Sequence, residues 1–134
     1  MKRLEFKITP AEFDRTSVFK LSPTLRALTY AALANGKGRP GQALGFVKMA
    51  KELAATDNQR AYTLYLYGIF LSAAGDHDGA INAEHDCVNL CYAIRNKELA
   101  SDSLLHLSSM YAAIGNALMA KEYEKEASLV LYAW

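Results

Sequence analysis

Residues 61–80 read AYTLYLYGIFLSAAGDHDGA. Leu64, Tyr67 and Leu71 are spaced by three and four, the interval of one helix face. Gly68 lies inside this run, where a small residue lets another helix approach closely. Gly75 ends the run and permits a tight reversal, Asp76 caps the next helix, and Ala80 supplies a second small residue early in it. The stretch therefore specifies a helical hairpin with a close crossing.

The same pattern recurs on both sides. Gly36, Gly75 and Gly115 are separated by 39 and 40 residues. Eleven before each stand Leu25, Leu64 and Leu104; eight before, Leu28, Tyr67 and Leu107; seven before, the small Thr29, Gly68 and Ser108; four before, Ala32, Leu71 and Tyr111. Ala80 and Ala120 lie five past their glycines, and Ala43 fills this place if the first turn holds two extra residues. Seven further on are the small Ala50, Cys87 and Ala127. One such hairpin cannot bury its own apolar face, so stacking must supply the core.

Start and stop signals give the helices. Ser22 and Pro23 open a helix to about Asn35, and Pro40 opens another to about Ala55 with Leu44, Val47 and Leu53 inward. Thr56 or Asp57 caps a helix from about Asn58 to Ala74, Asp76 one from about His77 to Arg95, and Asn96 marks the break before about Lys97 to Ile114. Asn116 caps the last, which runs to about Ala133. Short connections make neighbours antiparallel. The expectation is one domain over 22–134, with hairpins at about 22–55, 57–95 and 97–134, preceded by an N-terminal segment, 1–21. In that segment Leu4, Phe6 and Ile8 alternate with charged residues, as in an extended arm, and Thr9, Pro10 and Glu12 open a short extra helix to roughly Val18.

The repeat resembles the tetratricopeptide repeat, in a long-helix variant. The likeness covers 22–134 and is best in Leu64, Tyr67, Gly68, Leu71, Gly75, Ala80 and in Leu104, Leu107, Ser108, Tyr111, Gly115, Ala120. It departs from the family in its period near 40, in leucine where a leading tryptophan is usual, in Glu84 and Glu124 at positions often bulky and apolar, and in the missing closing proline. Another α-solenoid or a generic helical bundle would also accommodate these departures. The resemblance implies an all-α, right-handed α-solenoid of three stacked helical hairpins. It also implies a concave groove lined by the first helix of each hairpin: Arg26, Tyr30, Leu33, Tyr62, Tyr65, Ile69, Asp102, Leu105, His106 and Ser109.

Composition narrows the function. Net charge is +1, from 15 basic and 14 acidic residues, with no basic stripe interleaved with aromatics, so a nucleic-acid partner is not expected. No run is long and apolar enough to span a bilayer and no secretory leader is readable, so no membrane partner is expected. Cys87 and Cys91, one helical turn apart, are poorly placed for a disulfide, and free thiols fit a cytoplasmic protein. The overall charge gives a partner no preferred sign.

No phosphate-cradling loop, zinc-protease helix or nucleophile elbow occurs, so catalysis is not expected and no cofactor is implied. His85 and Cys87 are roughly 200° apart on a helix, which leaves no metal site. Asp76 and Asp78 complement the dipole of the helix they open.

Three features could carry binding, each with a structural alternative. Tyr62, Tyr65 and Ile69 share a helix face that either lines a groove or packs inside. The apolar tail, including Val130, Leu131 and Trp134, either packs on the third hairpin or forms a dimer or partner surface. The arm of Leu4, Phe6 and Ile8 either lies along the first hairpin or pairs with a partner. Together they give a protein-interaction module, an adaptor or chaperone that binds a protein or peptide segment. The alternative is a homodimer, the assembly module of a signalling or transcription system.

Overall fold

The computed structural model describes residues 22–133, and the expectations for the arm, the short first helix and Trp134 lie outside them. Within this range there are six α-helices and no strand: α1 (Pro23–Gly36), α2 (Pro40–Leu53), α3 (Asp57–Ala73), α4 (His77–Ile94), α5 (Lys97–Ala113) and α6 (Ala117–Ala133). No helix among the described residues is long and apolar enough to cross a membrane.

Local chemistry sets these boundaries. Ser22, Thr56, Asp76 and Asn96 each accept a hydrogen bond from the backbone N–H three residues on, and Asn116 does the same for Met119. Each cap satisfies a donor the helix leaves open, a contribution of about 1 kcal/mol.

All three hairpin turns have one design. A C-cap residue (Lys37, Ala74, Ile114) is followed by a left-handed glycine and then by the first residue capping the next helix. The residue after the glycine donates its N–H to a carbonyl five back: Arg39 to Ala34, Asp76 to Leu71, Asn116 to Tyr111, each 2.9 Å. The left-handed glycines are Gly38, Gly75 and Gly115, at φ of 71°, 91° and 85°. The first turn thus pivots on Gly38, not on Gly36, which is the last residue of α1. The two extra residues of the first hairpin prolong α1 and leave the turn itself unchanged, and Ala43 then lies five past its glycine like Ala80 and Ala120.

Each helix packs on its neighbours in sequence, most extensively within α1/α2, α3/α4 and α5/α6. The first helices also touch in succession, α1 with α3 and α3 with α5, whereas α2, α4 and α6 make no such contacts with one another. The small-residue positions are where the helices cross. Cys87 donates to the carbonyl of Ala61 at 3.3 Å, and Ser101 to that of Ala127 at 3.1 Å, the equivalent place in the third hairpin. Ser108 donates to the carbonyl of Ala120 at 2.6 Å.

Leu28, Val47, Leu99, Leu104 and Leu107 are the large apolar side chains fully buried in the one core cluster. Each contributes about 2 kcal/mol by leaving water. Leu53 departs from its expected inward place and is 46% exposed. It ends α2, past the buried Val47 and Ala50, and lines a depression between α1 and α2.

Candidate functional site

The face of α1, α3 and α5 that the repeat pattern picked out is only partly open. Tyr30 is 40% and Leu105 48% exposed, and Ser109 is also exposed. Arg26, Leu33, Tyr65, Ile69, Asp102 and His106 are half-buried. Tyr62 belongs to the core: it is 4% exposed and its ring meets Tyr65 edge-on, with centroids 6.2 Å apart. It stands four residues after Asn58, early in α3, where the helix is buried on more than one side along Ala61, Tyr62 and Thr63. Tyr62 is therefore withdrawn from the accessible face, while Tyr65 and Ile69 remain on it.

Beneath this face lies a feature sequence reasoning did not assemble. Glu84 of α4 is fully buried, and its Oε2 pairs with Nδ1 of His106 on α5. Its Oε1 has no hydrogen-bond partner among the described residues. The carboxylate rests against α3 at Gly68, where an added Cβ would lie 2.7 Å from Glu84 Cδ. Glycine at 68 is thus the space that admits a glutamate, and Ser103 on α5 donates to the Glu84 backbone carbonyl at 3.1 Å. Burial drives the Glu84 pKa up to about 7, against the opposing pull of His106 and Ser103. The signal in the sequence was a glutamate at an inward position of the repeat opposite the only glycine among Thr29, Gly68 and Ser108. His106 itself reaches the surface, in a depression of about 180 Å³ shared with Ser72, His77, Ser109, Met110 and Ala113.

The other candidates separate. Cys87 and Cys91 are buried free thiols with Sγ atoms 3.9 Å apart, and the hydrogen bond between them, then burial, pushes the Cys87 thiol up. A thiol raised in this way is a poor nucleophile. His85 turns away from them to Tyr123, whose hydroxyl lies 3.4 Å from its Nε2, and Tyr123 stacks on Tyr111 with centroids 5.4 Å apart. No group of three or more metal-ligating side chains occurs among the described residues. Asp76 is a cap, bonded to the Gly79 N–H at 2.9 Å, and Gly79 has no Cβ to strike its carboxylate.

In the tail, Val130 is buried and Leu131 half-buried, so the expected patch is made instead by Leu129 and Tyr132, 56% and 87% exposed, with Leu118 at 72%. These three fall within about 60° on α6. The first hairpin carries a further apolar surface, in which Tyr30 stacks on Phe46 with centroids 5.5 Å apart. Phe46 was not among the expected site residues, because in the sequence it is one more apolar position of α2.

Compared with known proteins, the chain matches no family model and no curated protein.

Proposed function

We propose that this chain is a protein-interaction module, an adaptor or chaperone built as a tetratricopeptide-like right-handed stack, which takes a segment of a partner protein on the face of α1, α3 and α5. One observation carries the reading: only the first helices of the hairpins touch in succession, and on α5 Leu105 and Ser109 stay in water instead of in the core. First helices closer together than second helices make a sheet of helices curve toward the first-helix side, and a curved face with exposed aromatic and aliphatic anchors is a usual place for a peptide. The test is affinity capture from the native cell followed by mass spectrometry, with wild type beside Leu105→Ala and Ser109→Arg. Both positions are exposed, so both variants should keep the wild-type circular dichroism and melting temperature. A client retained by wild type and lost by the variants supports the reading; a client retained equally by all three removes it.

Exposed Leu118, Leu129 and Tyr132 on α6 favour a second reading, the dimerising assembly module. Light scattering decides it: a monomer at high concentration, unchanged by Tyr132→Lys, excludes that use of α6.

A further inference from the structure

The net charge of +1 conceals a division along the chain. Residues 22–55 carry five basic side chains (Arg26, Lys37, Arg39, Lys48, Lys51) against the single acid Glu52. Residues 57–95 carry two basic side chains against five acidic, and residues 97–134 three against five. The even total is thus the sum of a basic first hairpin at +4, two acidic hairpins at −5 together, and +2 from residues 1–21.

The basic hairpin also holds two adjoining depressions between α1 and α2. One of about 290 Å³ runs past Arg26 to Met49 and Leu53, and one of about 380 Å³ runs past Leu33 to Lys37 and Arg39. Tyr30 and Phe46 line both, so the stacked pair forms the ridge between them. Their linings include three cations and no carboxylate. None of Arg26, Lys37 and Arg39 forms an ion pair with a described residue.

Arg39 is the most telling of the three. It stands where Asp76 and Asn116 cap the second helix of the other hairpins, and it makes no side-chain cap bond. A cation at a helix N-terminus opposes the macrodipole, so the fold itself favours aspartate or asparagine here. Packing gives arginine no reason to be at 39; an anionic ligand does.

We propose that the first hairpin docks an acidic segment of a partner protein, with bulky apolar side chains seated on either side of the Tyr30–Phe46 ridge and carboxylates against Arg26, Lys37 and Arg39. The inference rests on the interaction-module reading and adds the chemistry of the partner. Exposed cations act over about 8–10 Å at physiological salt, so they select and steer an acidic segment while the apolar depressions hold it.

The test is selection of random dodecapeptides displayed on phage against three immobilised chains: wild type, Lys37→Glu/Arg39→Glu, and Lys121→Glu/Lys125→Glu. The last makes the same change in net charge on exposed positions of α6. All three should be folded by circular dichroism, since every substituted position is exposed. The expected result is enrichment on wild type and on the α6 control of peptides with an excess of Asp and Glu around one or two large apolar residues. A fluorescein-labelled peptide from that set should bind the Lys37→Glu/Arg39→Glu chain about tenfold or more weakly, and wild type more weakly as salt rises. Enriched peptides without an acidic excess, or equally bound by the Lys37→Glu/Arg39→Glu chain, overturn this inference and leave the interaction-module reading standing. Enrichment on none of the chains removes both. Concentration-dependent self-association in light scattering, abolished by Lys37→Glu/Arg39→Glu, overturns the foreign segment and gives the depressions to a second copy of the chain.

Discussion

Replacing Glu84 by glutamine should make the protein more stable at alkaline pH and leave it nearly unchanged in acid. The Glu84 carboxyl is fully buried among α3, α4 and α5, and burial raises its pKa from 4.5 to about 7. In the unfolded chain the same group ionises near its ordinary value, so between about pH 4.5 and 7 the native state binds more protons than the unfolded state. The contribution of Glu84 to stability must therefore fall as pH rises through this window. The shift multiplied by about 1.4 kcal/mol per unit gives a loss of about 3 kcal/mol by pH 8. Glutamine keeps the shape of the protonated acid and never ionises. The difference between Glu84→Gln and wild type should be near zero at pH 4 and reach about 3 kcal/mol in favour of the variant at pH 8, roughly 10 °C in melting temperature for a domain of this size. Urea titrations of both proteins from pH 4 to pH 8 measure it. Ionisable groups away from this pair are common to the two chains, so the difference curve reports Glu84 together with its partner His106. A difference that stays flat across the window, or a variant that weakens toward pH 8, would refute the account of Glu84 as a desolvated carboxyl held against His106.

The remaining predictions concern stability and read out in thermal or urea melts. Gly68→Ala should destabilise by about 1–3 kcal/mol, because its Cβ would meet the Glu84 side chain at 2.7 Å, whereas Gly45→Ala, in open space within α2, should stabilise by up to about 1 kcal/mol. Combining Gly68→Ala with Glu84→Ala should cost less than the two single losses together, since the clash is then absent. Leu104→Ala should cost about 2–5 kcal/mol and the adjacent Leu105→Ala less than about 0.5, as the two point to the core and to water. Gly75→Ala should cost about 1 kcal/mol, since φ of 91° places a Cβ against its own backbone while the surrounding space is empty.

The helices were legible because their signals are local. Pro23 and Pro40, the caps at Ser22, Thr56, Asp76, Asn96 and Asn116, and the glycines of the turns act within four residues of themselves, and the observed ends agree with the expected ones to within two residues. The small positions were legible for a related reason: Ser108 and Ala120, or Cys87 and Ala61, are small because two backbones meet there. The choice between Gly36 and Gly38 was not legible. Both lie in one turn-forming stretch, and the structure keeps Gly36 as the last residue of α1 and gives the positive φ to Gly38.

The candidate site was less legible than the fold. The repeat placed Tyr65, Ile69, Leu105 and Ser109 on one side of the first helices, and this needs only the helical period. It placed Tyr62 there too, yet Tyr62 is buried, as are its neighbours Ala61 and Thr63 early in α3, and burial on consecutive positions is not conveyed by the helical period alone. Glu84 and Glu124 occupy equivalent places and look alike in the sequence. By itself the sequence determined six helices, their ends and their small crossing points, through interactions between residues a few positions apart. Only the tertiary structure separated the two glutamates: α4 is enclosed by α3 and α5, so Glu84 loses its water and must find room over Gly68 and a partner in His106. Among the described helices α6 packs on α5 alone, and Glu124 stays in solvent.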